Sequence, residues 1–164
     1  MSLRYEGITE EDIGLLTEIM TRAFDEDTRE GLGEDKGGPE GYDDGGFFQK
    51  WLFPYSESRG YKVFKDDQVV GAYIVWILPG GDNNLGTLFI DPELQDQGIG
   101  SDTWEHIEAS YPDTKSWNLG TPSWSKKNQY FYEKKCGFVR IGEEEVEELP
   151  GSIFLYQKIM RKSS

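Results

Sequence analysis

The sequence predicts an α+β protein built on a mixed sheet. Three observations carry this. Val69 to Leu78 is a nearly continuous apolar run, VVGAYIVWIL, of the kind that forms a central strand covered on both faces. Leu85 to Tyr111 reads as a strand, a Gly-containing turn and an amphipathic helix. Phe138–Ile141 and Ser152–Met160 read as two closing strands that pair, so helices are inserted among strands and do not alternate regularly with them.

In chain order, Tyr5–Ile8 is a candidate first strand. Thr9 with Asp12 three residues on is a capping-box variant, and Ile13, Leu16, Met20 and Phe24 follow at helical spacing, predicting a helix to about Phe24. From Asp25 to Gly46 the chain is rich in Gly and acid and has too little apolar content for a core of its own, so a long loop is expected. Phe47, Phe48, Trp51 and Leu52 predict a short helix ending before Pro54. Tyr61–Lys65, a turn at Asp66-Asp67 and the Val69–Leu78 run predict a hairpin. The turn residues Pro79–Asn84 lead into the strand Leu85–Ile90, which Asp91-Pro92 stops because proline lacks an N–H and disfavours helical geometry before it. Trp104, Ile107 and Tyr111 share one face of the helix after the turn. Lys115–Gly120 is a further strand, Ser125–Lys135 a further helix, and Gly137 its left-handed cap.

With 164 residues, one domain spanning residues 1–164 is expected. The start MSLRYEGITEEDIG has no apolar stretch typical of a secretory signal, and no apolar run is long enough to span a bilayer. Cys136 is the single cysteine, which excludes an internal disulfide and fits a reducing cytoplasm. It has no partner at metal-ligand spacing, so no metal is expected, and it reads as a small buried hydrophobe. The net charge of −14 argues against nucleic acid and anionic membranes as partners. The acidity is local: residues 25–44 hold nine acids against two bases, and residues 143–148 hold five more acids. Outside these two runs 17 acids face 15 bases.

The turn Gln95-Asp96-Gln97-Gly98-Ile99-Gly100 opens a helix, where successive N–H groups at a positive helix end can hold phosphates. A dinucleotide fingerprint is excluded because Thr103 stands where the third glycine is needed. No P-loop pattern occurs anywhere in the chain.

Two stretches in register resemble the GNAT superfamily of acyl-CoA-dependent N-acetyltransferases. One is Gln95-x-x-Gly98-x-Gly100 after a strand ending in Asp91-Pro92. The other is Asn128-Gln129-Tyr130-Phe131-Tyr132-Glu133-Lys134-Lys135-Cys136-Gly137-Phe138, similar to the family's "FYEK-x-GF" segment, with a strand between the two. The resemblance implies a central, mostly antiparallel sheet flanked by helices, acetyl-CoA as acyl donor, and transfer of its acetyl group to a primary amine. It implies that Leu88, Phe89 and Ile90 lend backbone groups to the pantetheine arm. Gln95, Asp96, Gln97, Gly98, Ile99, Gly100 and Ser101 would wrap the pyrophosphate, and Tyr132 would protonate the departing thiolate or hydrogen-bond to the sulfur. A backbone N–H on the opening strand, that of Ile90, would hold the oxyanion. The family often has Asn seven residues before this Tyr; here Ser125 stands there, while Asn128 lies one turn before Tyr132, and both are candidates for contact with the arm. The same motifs also fit a CoA-binding or interaction module with no catalytic role. Oligomeric state stays open, with a homodimer among the options.

An alkyl amine is protonated at neutral pH, so a carboxylate, directly or through water, must take a proton before attack. The sequence offers too many to choose one. Asp91 reads first as a strand-ending residue, and His106, the only histidine, as an exposed structural one. In the resembling family the segment after the first helix and the loop between the last two strands flank the acceptor cleft. The two acidic runs fall there, which suggests a cationic acceptor, a small-molecule or peptide amine; solvated loops are the alternative. Phe47, Phe48, Trp51 and Trp124 are candidates either for the pocket lining or for the core.

Overall fold

The computed structural model describes residues 2–147 and 149–160. The apolar run becomes β3 (Gln68–Trp76), third in a seven-stranded sheet. Its neighbours on one side are β1 (Leu3–Gly7) and β2 (Ser58–Lys65). On the other side lie β4 (Asp82–Ile90), β5 (Ser116–Pro122), β7 (Ser152–Ile159) and, at the edge, β6 (Val139–Glu145), in that spatial order. Every neighbouring pair is antiparallel except β4–β5. β3 is buried on both faces, as its unbroken apolarity predicts. Ala72 and Ile74 belong to a core with Leu16, Met20 and Phe48, while Val70, Tyr73 and Val75 belong to the opposite core with Trp104, Trp117 and Tyr156.

Helix α1 (Ile13–Leu32) and the short α2 (Gly46–Trp51) cover the first face. Helix α3 (Ile99–Ser110) and the segment running through α4 (Lys126–Tyr130) cover the second. Leu16 and Phe48 are fully buried, and removing a side chain of that size from water is worth about 1.5–3 kcal/mol. The Thr9–Asp12 capping box forms, with Thr9 N–H donating to Asp12 Oδ2 at 2.8 Å, but it opens a 3-10 turn at Glu10–Asp12 that runs into α1.

Several expected boundaries move. α1 does not stop near Phe24 but continues two turns into the acidic run, ending at Gly33 with φ 73 and its N–H bonded to Arg29 O. The reason lies in what those turns bury: Asp27 and Thr28 lie on the face that continues from Met20, and Arg29 pairs with Glu26 one turn back. The predicted helix Ser125–Lys135 divides into α4 and a π-helical turn, Phe131–Lys135, in which Cys136 N–H bonds Phe131 O five residues back at 3.1 Å. Of the second acidic run, Glu143, Glu144 and Glu145 lie in β6 and not in a loop; Glu148 lies outside the described residues. His106 is half-buried, stacked on Tyr5 with ring centroids 3.9 Å apart, because the helix face it occupies packs against β1; burial holds its imidazole below the usual value.

The feature that positions a site is the separation of β4 from β5. The two pair only at Asp82–Ser116, Asn83–Trp117 and Asn84–Asn118. Beyond that β5 follows β7 alone, while β4 stays with β3. A register shift between Ile74 and Val75 leaves Gly86 without an opposite residue, and such a bulge bends and twists a strand. From Leu85 to Ile90, β4 therefore has an edge with no strand partner in the middle of the sheet.

Candidate active site

That opening is a cavity of about 370 Å³. Leu88, Phe89 and Ile90 line one wall; Gln95, Asp96, Gly98, Ile99, Gly100 and Ser101 line one end; Lys127, Asn128, Tyr130, Phe131 and Lys135 line another side, and Ala23, Phe24 and Asp27 of α1 complete it. Asp91 N–H donates across to Val70 O at 2.7 Å. Strand alternation then points the N–H groups of Ile90 and Leu88 the other way, into the opening.

The turn gets its shape from two left-handed residues, Asp96 (φ 64) and Gly98 (φ 81). Gly98 is the N-cap of α3, and a β-carbon there would meet nothing within 4 Å, so it faces open space. A β-carbon on Gly100 would stand 3.2 Å from the Phe131 ring, so glycine is what lets the helix start approach that ring. The amides of Ile99, Gly100 and Ser101 precede any intrahelical acceptor, and Asp102 is the first to donate back, to Gly98 O at 3.0 Å. Unpaired donors at the positive end of a 12-residue helix, with Lys127 and Lys135 on the same cavity, make a set suited to an anionic phosphate. Of the residues expected in this turn, Gln97 alone does not line the cavity; it is exposed and accepts from Lys65 Nζ at 2.6 Å.

The second motif is placed differently from its simplest reading. Ser125 is fully buried and caps α4, accepting from Asn128 N–H at 3.4 Å. Its one hydroxyl proton is shared between the two oxygens of Asp27, 2.8 and 3.0 Å away. Asn128 lines the cavity and donates through Nδ2 to Thr121 Oγ1 at 3.1 Å, tying α4 to β5. Tyr132, the expected proton donor, is 8% exposed and is not among the residues that line the cavity, although the adjacent Phe131 is; its ring packs against Phe131 and Phe138. Burial raises its phenol well above the ordinary value, and Cys136 and Asp27 add to the rise, so it holds its proton firmly. Tyr130 is exposed on the cavity rim. Cys136 is buried and its thiol is pushed up to about 12, chiefly by that burial. Phe47 and Phe48 are core residues, and neither they nor Trp51 and Trp124 line the cavity.

Matching against family profiles decides the relationship: the acetyltransferase (GNAT) profile covers residues 17–138. The chain belongs to the GNAT family. Among curated relatives, the uncharacterized protein YrkN of Bacillus subtilis is 42% identical over 79 residues, 48% of this chain; the match spans only 43% of that relative's length. Among solved structures, an acetyltransferase from Thermus thermophilus superposes with a TM-score of 0.76 at 17% identity, covering 98% of each chain. The PaiA N-acetyltransferase from Thermoplasma acidophilum, solved in complex with coenzyme A, does so with a TM-score of 0.71 at 19% identity, covering 98% of this chain and 100% of that one. At those identities the structures speak to the fold, and the mixed sheet flanked by helices is that of GNAT acetyltransferases.

In this GNAT chain three cavity-lining charges were not singled out from the sequence: Asp27, which lies in the first acidic run, Lys127, and Lys135, which lies in the second motif. For Asp27 a signal was present. Leu16, Met20 and Phe24 step along one helix face at intervals of four, and Asp27 is three further on, so an acid stands where the apolar stripe continues. Among the described residues no helix is long and apolar enough to cross a membrane.

Proposed function

We propose that the protein is an N-acetyltransferase that moves the acetyl group of acetyl-CoA to a primary amine by direct attack on the thioester. The observation that carries this reading is the opened edge of β4, running from Leu88 to Ile90 and closed at one end by the unpaired amides of Ile99, Gly100 and Ser101. An extended amide-bearing arm can pair with the strand edge while its phosphates take the helix-start donors and the Lys127 and Lys135 charges. Gln95, Asp96, Gly98 and Ser101 shape that end, and Asn128 flanks the arm.

In the reaction, the amine nitrogen attacks the thioester carbon, the carbonyl oxygen gains negative charge, and the Ile90 N–H on the open edge offsets it. As the C–S bond breaks, Tyr132 supplies its phenolic proton to the sulfur. Its raised pKa keeps the phenol protonated at neutral pH before that step. The reading includes a reducing cytoplasmic setting, in which the buried Cys136 thiol stays free.

The acceptor in this proposal is cationic, a polyamine-like small molecule or a basic peptide amine. Support comes from Glu143, Glu145 and Glu147, which with Ser123 and Ser152 line a second, open hollow of about 490 Å³. The test is acetylation across a panel of amines at rising salt. A cationic acceptor steered by these acids shows a KM that climbs with ionic strength. Preference for neutral or acidic amines, or a salt-independent KM, sinks the acceptor assignment.

A further inference from the structure

We infer that Asp27 is the base that takes the proton from the acceptor ammonium, and that Ser125 positions it. The inference rests on the acetyltransferase reading above and deepens it by choosing one carboxylate among many. Among the described residues two carboxylates line the cavity, Asp27 and Asp96. Asp96 is exposed at the helix-start end, beside the unpaired amides. Asp91, also buried and near the end of β4, does not line the cavity and is already paired with Arg22 at 2.7 Å. Asp27 is 7% exposed and faces the cavity, and among the described residues no cation lies within 4 Å of its carboxylate.

A buried carboxylate without a counter-ion is costly, and a bound ammonium would relieve that cost while presenting the proton to be removed. Among the described residues its only hydrogen-bond donor is Ser125, the residue at the position where the resembling family often has Asn. Ser125 is withdrawn from the cavity and committed to Asp27 through its hydroxyl, so the departure in the motif and the buried acid on α1 form one device. Burial pushes the Asp27 carboxyl above the usual carboxylate value, which makes it a stronger base, while the Ser125 hydroxyl and the charge of Lys127 hold it down. Asp27 in turn adds to the rise of the Tyr132 phenol.

The proton balance closes. One ammonium proton passes to an Asp27 oxygen and leaves to solvent after turnover. The N–C bond forms and the C–S bond breaks; the thiolate takes the Tyr132 proton, and the remaining surplus proton on nitrogen restores the phenol. Nothing is oxidised or reduced.

The experiment compares wild type, Asp27→Asn and Ser125→Ala in CoA binding by calorimetry and in acetyl transfer to two acceptors. One is an alkyl diamine, protonated at neutral pH; the other is an aromatic amine, neutral there. For the diamine, Asp27→Asn should lower kcat by about 10²-fold with CoA affinity unchanged, and the aromatic amine should lose far less. Ser125→Ala removes a donor to the ionised form, so the acid limb of its kcat/KM–pH profile should move to higher pH, and Ser125→Thr should restore it. Wild-type rates for Asp27→Asn with the diamine, or equal losses for the two acceptors, overturn the assignment. If Asp27→Asn does not fold, an unmoved acid limb in Ser125→Ala overturns it instead. A wild type that acetylates no amine at all removes the acetyltransferase reading itself, whereas an active wild type with an unimpaired Asp27→Asn removes only the role given to Asp27.

Discussion

Arg22 Nη2 lies 2.7 Å from Asp91 Oδ2, pinning α1 to the residue that follows β4. Asp91 also accepts the Glu93 N–H at 3.1 Å, so one buried carboxylate sets both the strand end and the chain's direction into the Gln95–Ser101 turn. The strand-ending role read from Asp91-Pro92 is therefore real, but a helix distant in sequence supplies its counter-charge.

Arg22→Ala should lower the unfolding free energy by about 1–2 kcal/mol, because it leaves Asp91 buried with only its backbone partner; the half-exposed guanidinium keeps the loss below that of a fully buried pair. Urea unfolding checks this through the midpoint at unchanged slope.

Gly100→Ala should weaken CoA binding by about tenfold or more, since the new methyl meets Phe131 at 3.2 Å and shifts the helix start that carries the donors. Gly98→Ala has room but must hold φ 81, at about 1–2 kcal/mol of stability. Gly14→Ala, in α1 with nothing within 4 Å of the added carbon, serves as a control and should stabilise by about 0.5–1 kcal/mol without changing affinity. Calorimetric titration with CoA and thermal melts separate the three.

Much of the fold was legible. The unbroken apolar run marked the central strand, and Trp104 with Ile107 marked the buried face of α3, because burial on a regular element leaves a periodic trace. The end of α1 was not legible. Its last turns are acidic and carry Gly31, and they are held by contacts distant in sequence: the buried hydrogen bond between Ser125 and Asp27, 98 residues apart, and the Thr28 hydroxyl donating to Gly37 O at 2.8 Å. The turn at Gln95–Gly100 was readable because glycine spacing reflects backbone geometry. The separation of β4 from β5 was not, since it depends on which strands pair.

Asp27 also makes a stability prediction. Burial raises its folded-state pKa above the unfolded value, so the folded protein binds that proton more tightly. Its contribution to stability is full below the unfolded value near 3.8 and is lost as pH rises through the folded one. Asp27→Asn removes this loss. It should melt at a higher temperature than wild type near pH ~8, with the gain shrinking towards pH ~4. Thermal melts across that range check it, and a variant destabilised at every pH contradicts it.

Tyr132→Phe should lower kcat by about 10²-fold with CoA affinity and melting temperature nearly unchanged. The ring stays packed on Phe131 and Phe138, and only the proton at its tip is lost. An unchanged kcat assigns Tyr132 to the core alone.

In the proposed function the cavity between β4 and β5 holds acetyl-CoA and passes its acetyl group to an amine. Quantifying free CoA thiol and N-acetylated product together, in one reaction of the purified protein with acetyl-CoA and a primary diamine, tests it most directly. Equal amounts of both are expected, each requiring protein and diamine. Tight CoA binding with no acetylated product across the amine panel, or thiol release independent of the amine, would contradict it.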